Sequence, residues 1–253
     1  MGSCQNIEIK LYWTNTMSEN AIYDFILTHN KVFKSDFRTS RFKKKYIDNI
    51  YGPSLIVLAY TNNTCVGVRA FWRNDVNGIK AYQPCDTGVL EKYRGMGLFT
   101  EMTKKALESV EEGSLIYNFP NDNSLPGYLK MGWNIQSIKR YKLFNAICDY
   151  GEIDKIDNHY LKWLVNDTDS YFKELLFYTK INKKYFLVKK RKYNLYLIIG
   201  EMGNENIKYL SKARRPLCIC YSSKGYLGRG IVTVVKNLNK DVRIPIYKID
   251  TLF

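Results

Sequence analysis

The chain has 253 residues, enough for one large domain or two small ones around a substantial core. Its 45% hydrophobic and 15% aromatic content excludes a disordered chain, and no apolar run reaches the roughly 18 residues that a spanning helix needs. The net charge of +15 points to polyanionic partners, phosphorylated small molecules and nucleic acid among them.

Residues 18–50 read as two short helices. The first runs from Ser18, a candidate cap, to His29, with Ile22, Phe25 and Ile26 inward; the second spans about Ser40 to Asn49. Phe33, Phe37, Phe42 and Tyr46 form an aromatic series here, and core packing alone accounts for such a series. Gly52-Pro53 breaks the pattern. Leu55–Tyr60 and Cys65–Trp72 then read as a hairpin around Thr61-Asn62-Asn63. Lys80–Leu90 predicts a third strand, with Pro84 at a bulge or an edge. A helix follows, with Leu98, Met102, Ala106, Leu107 and Val110 on one face and Gly113 as its stop. Leu115–Phe119 is a strand, Tyr128–Gly132 a short helix or turn, and Ile135–Phe144 a strand interrupted by Lys139, Arg140 and Lys142.

Acids and a glycine cluster between Ala146 and Asp157, which divides the chain into domains 1–147 and 148–253. Beyond the boundary the patterns predict a helix over Tyr160–Phe177 and strands over Tyr185–Lys192 and Tyr193–Met202. A helix over Asn206–Ala213 and strands over Leu217–Tyr221, Ile231–Lys236 and Arg243–Ile249 follow. This order echoes the first half, as a degenerate second half extending the sheet would. Gly225-Tyr226-Leu227-Gly228-Arg229-Gly230 imitates a phosphate loop, but the β-branched run Ile231 to Val235 follows it, so it reads as a hairpin turn.

The stretch with chemical content is Val89 to Thr100. A strand ends at Val89-Leu90, a turn carries Arg94, Gly95, Met96 and Gly97, and a helix opens with Leu98, Phe99 and Thr100. Glycines let a backbone approach a ligand closely, and the first helical turn presents free N–H groups at the positive end of the dipole, a fit for pyrophosphate. A tight turn without a ligand uses the same residues. No Lys-Ser/Thr pair follows Gly97, so it is not a Walker loop, and three spaced glycines are missing, so it is not a dinucleotide fingerprint. Tyr93-Arg94-Gly95-Met96-Gly97-Leu98 resembles the coenzyme A loop of the GCN5-related N-acetyltransferase (GNAT) superfamily, Gln/Arg-x-x-Gly-x-Gly/Ala, with Phe99 where the family has a small residue. Downstream, Asn121, Tyr128, Gly132 and Trp133 fit the family's second pattern of Asn, Tyr seven residues on, and Gly-aromatic. The resemblance covers roughly residues 20 to 145.

That resemblance implies an α/β fold, a mixed sheet with flanking helices, in which the strand before the loop splays from the next one and pantetheine lies in the slot. It implies acyl-CoA as co-substrate, acetyl-CoA or a longer acyl-CoA. Thr87, Gly88, Val89 and Leu90 would line the pantetheine and supply an oxyanion N–H, Arg94 to Thr100 would hold the pyrophosphate, and Asn121 the pantetheine or its phosphate end. Tyr128 would give its proton to the departing thiolate; the plain alternative is that it packs beside Trp133. Some relatives place a Glu base five residues before the Asn, where this chain has Ile116. Asp86 is the best remaining carboxylate, as base or as grip for the acceptor ammonium; His159 is the other titratable candidate, and water could instead take the proton. The region of the first two helices would fold over the acceptor side.

Asp86-Thr87 with both motifs is similar to bacterial acyltransferases that modify nucleotide-linked amino sugars for surface polysaccharides, O-antigen among them, which makes a dTDP- or UDP-amino sugar the expected acceptor. A peptide, protein or other small-molecule amine is the alternative, and a non-catalytic nucleic-acid-associated module a further one. From Gly151 onward 20 Lys and Arg stand against 10 acids, so +10 of the +15 lies in the second half. Its runs Lys183-Lys184, Lys189 to Lys192 and Lys212 to Arg215 could hold a nucleotide diphosphate. Six cysteines without a Cys-x-x-Cys pair, and only His29 and His159, leave no zinc spacing. Cys218 and Cys220 would share one strand face as small hydrophobes. Reduced thiols and no signal peptide lead us to expect a cytoplasmic enzyme without metal or membrane partner. The start Met1-Gly2-Ser3-Cys4-Gln5-Asn6 is close to a myristoylation signal, but Asn6 stands where Ser or Thr is needed.

Overall fold

The computed structural model describes residues 6–144, 150–165, 174–236 and 242–248. The N-terminal start with Cys4, the boundary residues 146–149 with Cys148, and Ile249 lie outside them. The chain divides into two compact units. The first comprises residues 1–135 and 233–242 with the last residue, the second 136–232 and 243–252.

In the first unit, β1 (Glu8–Trp13), β2 (Leu55–Thr61), β3 (Thr64–Arg73) and β4 (Ala81–Val89) form an antiparallel series. β5 (Leu115–Asn118) pairs parallel with β4, and the end of β12 (Leu227–Lys236) pairs antiparallel with β5. β1 was not anticipated, although Ile7, Ile9, Leu11 and Trp13 alternate with Glu8, Lys10 and Tyr12. Asn62 and Asn63 take positive φ of 47° and 60°, which a two-residue hairpin turn demands.

β2 is buried along its whole length, and β3 nearly so, because helices cover both faces. On one side lies α3 (Leu98–Ser109). It packs so closely that a Cβ on Gly67 would stand 3.4 Å from Met102 Cε. On the other lies α1 (Glu19–Phe33), where Val32 would meet a Cβ on Gly88 at 2.8 Å. α2 (Thr39–Phe42) continues into a π-turn over Lys43–Ile47. Phe25, Phe37, Phe42 and Tyr46 interlock edge to face with centroids 5.1 to 6.2 Å apart, so the aromatic series is core; only Phe33 stays exposed. α3 ends at Ser109, ahead of Gly113.

In the second unit the strand order is β6 (Asn134–Leu143), β11 (Leu217–Ser222), β9 (Leu195–Met202), β8 (Lys184–Lys190), β7 (Leu176–Ile181) and β10 (Ser211–Lys212). β7, β8 and β9 are antiparallel, β9 and β11 parallel, and β11 and β6 antiparallel. The first unit shows the same sequence of pairings in β2, β3, β4, β5 and β12, so the second half does repeat the frame. Phe186, Val188, Tyr196 and Ile198 pack with Cys218 and Cys220 in its core.

Four readings of this half change. Of the helix predicted over Tyr160–Phe177, the described residues show α5 (Asn158–Val165) and helix again at Glu174 and Leu175, whereas Leu176–Ile181 is a strand paired with β8. Its Phe and Tyr residues favour a strand that has a partner to pair with. Asn206–Ala213 is a 3-10 turn over Asn204–Tyr209 followed by β10. Gly225–Gly230 is no hairpin: β12 begins at Leu227, and β11 pairs with β6 and β9. In place of a strand over Arg243–Ile249 there is a 3-10 turn at Ile246–Lys248.

Ser18 caps α1, its Oγ accepting from Ala21 N at 3.3 Å, with Glu19 in the first turn beside the positive dipole end. Ser18→Ala should therefore lower stability by about 1 kcal/mol. The check is a shifted denaturation midpoint at unchanged m-value.

Candidate active site

β4 and β5 touch only at their start, Ala81 with Leu115 and Tyr82 with Ile116. From Gln83 onward β4 runs on without β5, and Pro84 falls just past the last pair, where a missing N–H costs least. The opening is the splay that the resemblance implies. Opposite, the β3–β4 register shifts between Val68 and Ala70, so Asp86 and Thr87 together face Arg69. This is a β-bulge, with Asp86 at φ 45°.

The bulge sends its two side chains to different surroundings. Asp86 Oδ2 accepts from Lys45 Nζ at 2.9 Å and from the Tyr46 hydroxyl, and Oδ1 lies 3.7 Å from His29 Nε2. Lys45 is 2% exposed and Asp86 20%. Burial alone would raise the Asp86 carboxyl, but Lys45, His29 and Tyr46 hold it well below the ordinary carboxylate range. The Tyr46 phenol is pushed up by burial and by that anion. His29 sits at the centre of this side, Nδ1 on Ser35 Oγ at 3.3 Å and its ring stacked on Phe25. It was counted in the sequence but given no role. His159 is an exposed residue of α5 in the second unit.

Thr87 faces Arg69. Arg69 is fully buried and donates from Nη1 to Thr87 Oγ1 at 3.0 Å and from Nη2 to Tyr128 Oη at 2.9 Å. Its Nε has no hydrogen-bond partner, and among the described residues no carboxylate pairs with it. Tyr128, on the short helix α4 (Leu125–Lys130), is 2% exposed and receives a second donor, Asn118 Nδ2 at 2.6 Å. Burial raises the phenol's pKa; the Arg69 charge and the two hydrogen bonds oppose it. Phe99 occupies the remaining side. Its ring lies 4.6 Å under the guanidinium, meets Tyr128 edge-on at 5.5 Å, and rests where a Cβ on Gly127 would come within 2.9 Å. The residue by which the loop departs from the family pattern is thus the floor of the Tyr128 site. Trp133 closes it at 4.8 Å.

The loop has the expected form. Gly95 and Gly97 take φ of 80° and 77°, open to glycine at no cost, and α3 starts at Leu98 with Gly97 as an αL cap. Helix geometry leaves the first N–H groups, Leu98 and Phe99 among them, without intrahelical partners. Arg94 Nε donates to Val89 O at 3.2 Å and Met96 is exposed. Asn121 is spent differently from expectation: its Oδ1 accepts from Asn123 N, Ser124 N and Ser124 Oγ, which shapes the turn into α4. The asparagine that reaches Tyr128 is Asn118, three residues earlier. Gly88, Val89 and Leu90 continue β4, with Leu90 N bonded to Val66 O at 2.9 Å. Among the described residues no cluster of His, Cys, Asp and Glu could hold a metal, and no helix is long and apolar enough to cross a membrane.

Lys45→Met strands the Asp86 charge and should cost about 3 kcal/mol, most of it regained in Lys45→Met/Asp86→Leu. A carboxyl held low stabilises above its unfolded range and loses that contribution as pH falls. Without Lys45 that contribution is gone and protonation relieves the stranded charge, so the single variant's deficit should be largest near neutrality and narrow as pH falls, read by denaturant titrations at several pH values followed by circular dichroism.

The acetyltransferase (GNAT) domain model matches residues 14–136. No curated protein matches the sequence. Among solved structures, a GCN5-related N-acetyltransferase from Kribbella flavida aligns over 90% of this chain and 71% of its own, with a TM-score of 0.53 and 8% identity. Eis1 from Mycobacterium abscessus aligns over 90% and 73%, with a TM-score of 0.52 and 8% identity. At such identity they speak for the fold. With the loop, the splayed strands and the domain match in place, residues 14–136 are an acetyltransferase (GNAT) domain, and the chain that carries them is an acyl-CoA-dependent transferase.

Proposed function

We propose that the enzyme transfers the acyl group of acyl-CoA to the amine of a nucleotide-linked amino sugar by direct attack, with Tyr128 as the acid. The observation that carries the chemistry is the position of Tyr128 Oη, held by Arg69 and Asn118 beside the opening between β4 and β5. The loop donors of Gly95 to Thr100 take the pyrophosphate, with Arg94 beside them. Thr87 to Leu90 line the pantetheine and give the oxyanion an N–H. Asn121 keeps its amide nitrogen for the pantetheine or its phosphate end. The neutral amine adds to the thioester carbonyl, the C–N bond forms, and the C–S bond breaks with its pair on sulfur. The phenol supplies the proton to that sulfur. Asp86 is too strongly held as an anion to accept a proton near neutrality, so its part is to grip the acceptor ammonium beside Lys45.

The acceptor class is supported by charge. A nucleotide-linked sugar carries a diphosphate of its own, and the second unit holds the surplus cations. Lys184 is taken by Glu201 at 2.7 Å, whereas Lys212, Arg214 and Arg215 are exposed. Lys189 and Arg191 line a cavity of about 130 Å³ with Tyr141 and Tyr221, cationic and aromatic groups suited to phosphate and base.

Tyr128→Phe should leave acetyl-CoA binding near normal by calorimetry and lower kcat roughly 10²-fold; turnover at the parent rate would mean that Tyr128 only packs. The acceptor is tested by steady-state kinetics on a dTDP- or UDP-amino sugar against the free amino sugar. The nucleotide form should have the higher kcat/KM, and equal values would overturn the assignment.

A further inference from the structure

The environment of Tyr128 has a directional consequence. Asn118 Oδ1 accepts from Phe119 N at 2.7 Å, which settles its amide orientation and turns Nδ2 toward Tyr128. Arg69 has donors only. Both neighbours of the phenol oxygen therefore give protons to it, and neither can receive one. Its two lone-pair directions are occupied, so the O–H must point away from both. A tyrosine that merely packs needs no such arrangement, and a single donor would satisfy it.

Arg69 is also costly. A guanidinium at 0% exposure with an orphaned Nε and no carboxylate partner among the described residues has lost its hydration without a counter-ion. The faces of Phe99 and Phe71 stand 4.6 and 5.4 Å from its centre, and they compensate only partly. A full anion on Tyr128 Oη would be the missing partner.

We propose that Arg69 is a positioning residue for the acyl transfer: together with Asn118 it aims the Tyr128 proton at the departing sulfur and then holds the tyrosinate. This rests on Tyr128 as the acid. When the C–S bond breaks, its electron pair stays on sulfur and the phenolic proton moves to it, releasing the thiol. The negative charge is then on Oη, in contact with Nη2 of Arg69 and Nδ2 of Asn118. The proton shed by the acceptor nitrogen restores the phenol through solvent, so nothing is consumed. Arg69 and the Cys85 thiol of β4 are the titratable groups facing Tyr128. The elements packed around it otherwise present Phe99, Asn118 and Trp133, which carry no charge.

The test is a double-variant cycle on the full chain, with acetyl-CoA and hydroxylamine, a neutral amine at pH 7 that needs no acceptor site, read as thiol release. Arg69→Gln should lower kcat roughly 10²-fold, as for a lost general acid, with KM for acetyl-CoA little changed. Arg69→Lys, which keeps the charge, should recover much of the loss. In the Tyr128→Phe background Arg69→Gln should cost nothing further. The alkaline limb of kcat should move to higher pH in Arg69→Gln, because removing a cation raises the phenol's pKa, and stay near the parent position in Arg69→Lys. If Arg69→Gln slows the Tyr128→Phe enzyme as much as it slows the parent, or leaves the alkaline limb unmoved, the inference is overturned while Tyr128 remains the acid. If Tyr128→Phe turns over at the parent rate, or the parent does not accelerate the reaction, the acid assignment fails and takes the inference with it. Should Arg69→Gln fail to fold, Asn118→Asp provides the second route. It exchanges an obligate donor for an acceptor of the phenol's proton and should depress kcat at least as far; parent turnover in it would equally count against the proposal.

Discussion

The site hangs on one irregularity, the bulge that sets Asp86 and Thr87 against the single residue Arg69. A regular ladder sends successive side chains to opposite faces at a fixed spacing. The extra residue lets one strand serve two separate polar clusters within two positions. Asp86 meets Lys45, Tyr46 and His29 on the side of the first two helices, and Thr87 meets Arg69, whose aromatic support, Phe99, comes from α3. The positive φ at Asp86 is tolerated because aspartate is among the residues that accept the left-handed region, and because three partners on its carboxylate over-determine the conformation. Strain of this kind persists where surrounding structure holds it, and here it lies beside the opening of the sheet.

The two clusters differ in electrostatic character, and this separates their roles. Around Asp86 a buried cation and a buried anion compensate each other, so that cluster is stable as built and resists a change of protonation near neutrality. Around Tyr128 a cation is buried, and among the described residues no carboxylate answers it. A site that develops charge during reaction stabilises it best with groups already oriented and already stripped of water. On the proposed reading, the charge of the reaction develops on the uncompensated side and the acceptor is held on the compensated side.

Much of the frame was legible because local signals and tertiary demands agreed. Ser18 before an apolar periodicity, Asn62-Asn63 between two apolar runs and the glycines before Leu98 each name a backbone conformation that few other residues accept. What stayed hidden depends on partners distant in sequence. Arg69 stands in an apolar run, where an arginine reads as a surface residue with its head in water; its burial needs Thr87, Phe99 and Tyr128 brought together by the fold. Asn118 ends a buried strand and looks no different from Asn121, whose motif position drew attention although its carbonyl serves a turn. Leu176–Ile181 has no helix-breaking residue, and pairing with β8 decides it as a strand. Phe99 is the instructive case: in the sequence it is only a departure from a pattern, and in three dimensions it is the surface on which the guanidinium and the phenol are set.

The second half shows what a repeated frame does and does not carry. Its strands repeat the pairing order of the first, including a parallel step between β9 and β11 where β4 and β5 stand in the first unit. Between β4 and β5 the chain makes a glycine turn and a twelve-residue helix whose N-terminus is free to bind an anion. Between β9 and β11 it makes a 3-10 turn and a two-residue strand instead. β9 and β11 also pair over three positions, where β4 and β5 pair over two before parting. Among the described residues, the open strands and the helix that follows a glycine turn are thus confined to the first unit. A repeat that keeps the strands but loses the loop can still present charge and aromatic surface, as the lysines, arginines and stacked Tyr141–Tyr221 pair of the second unit do.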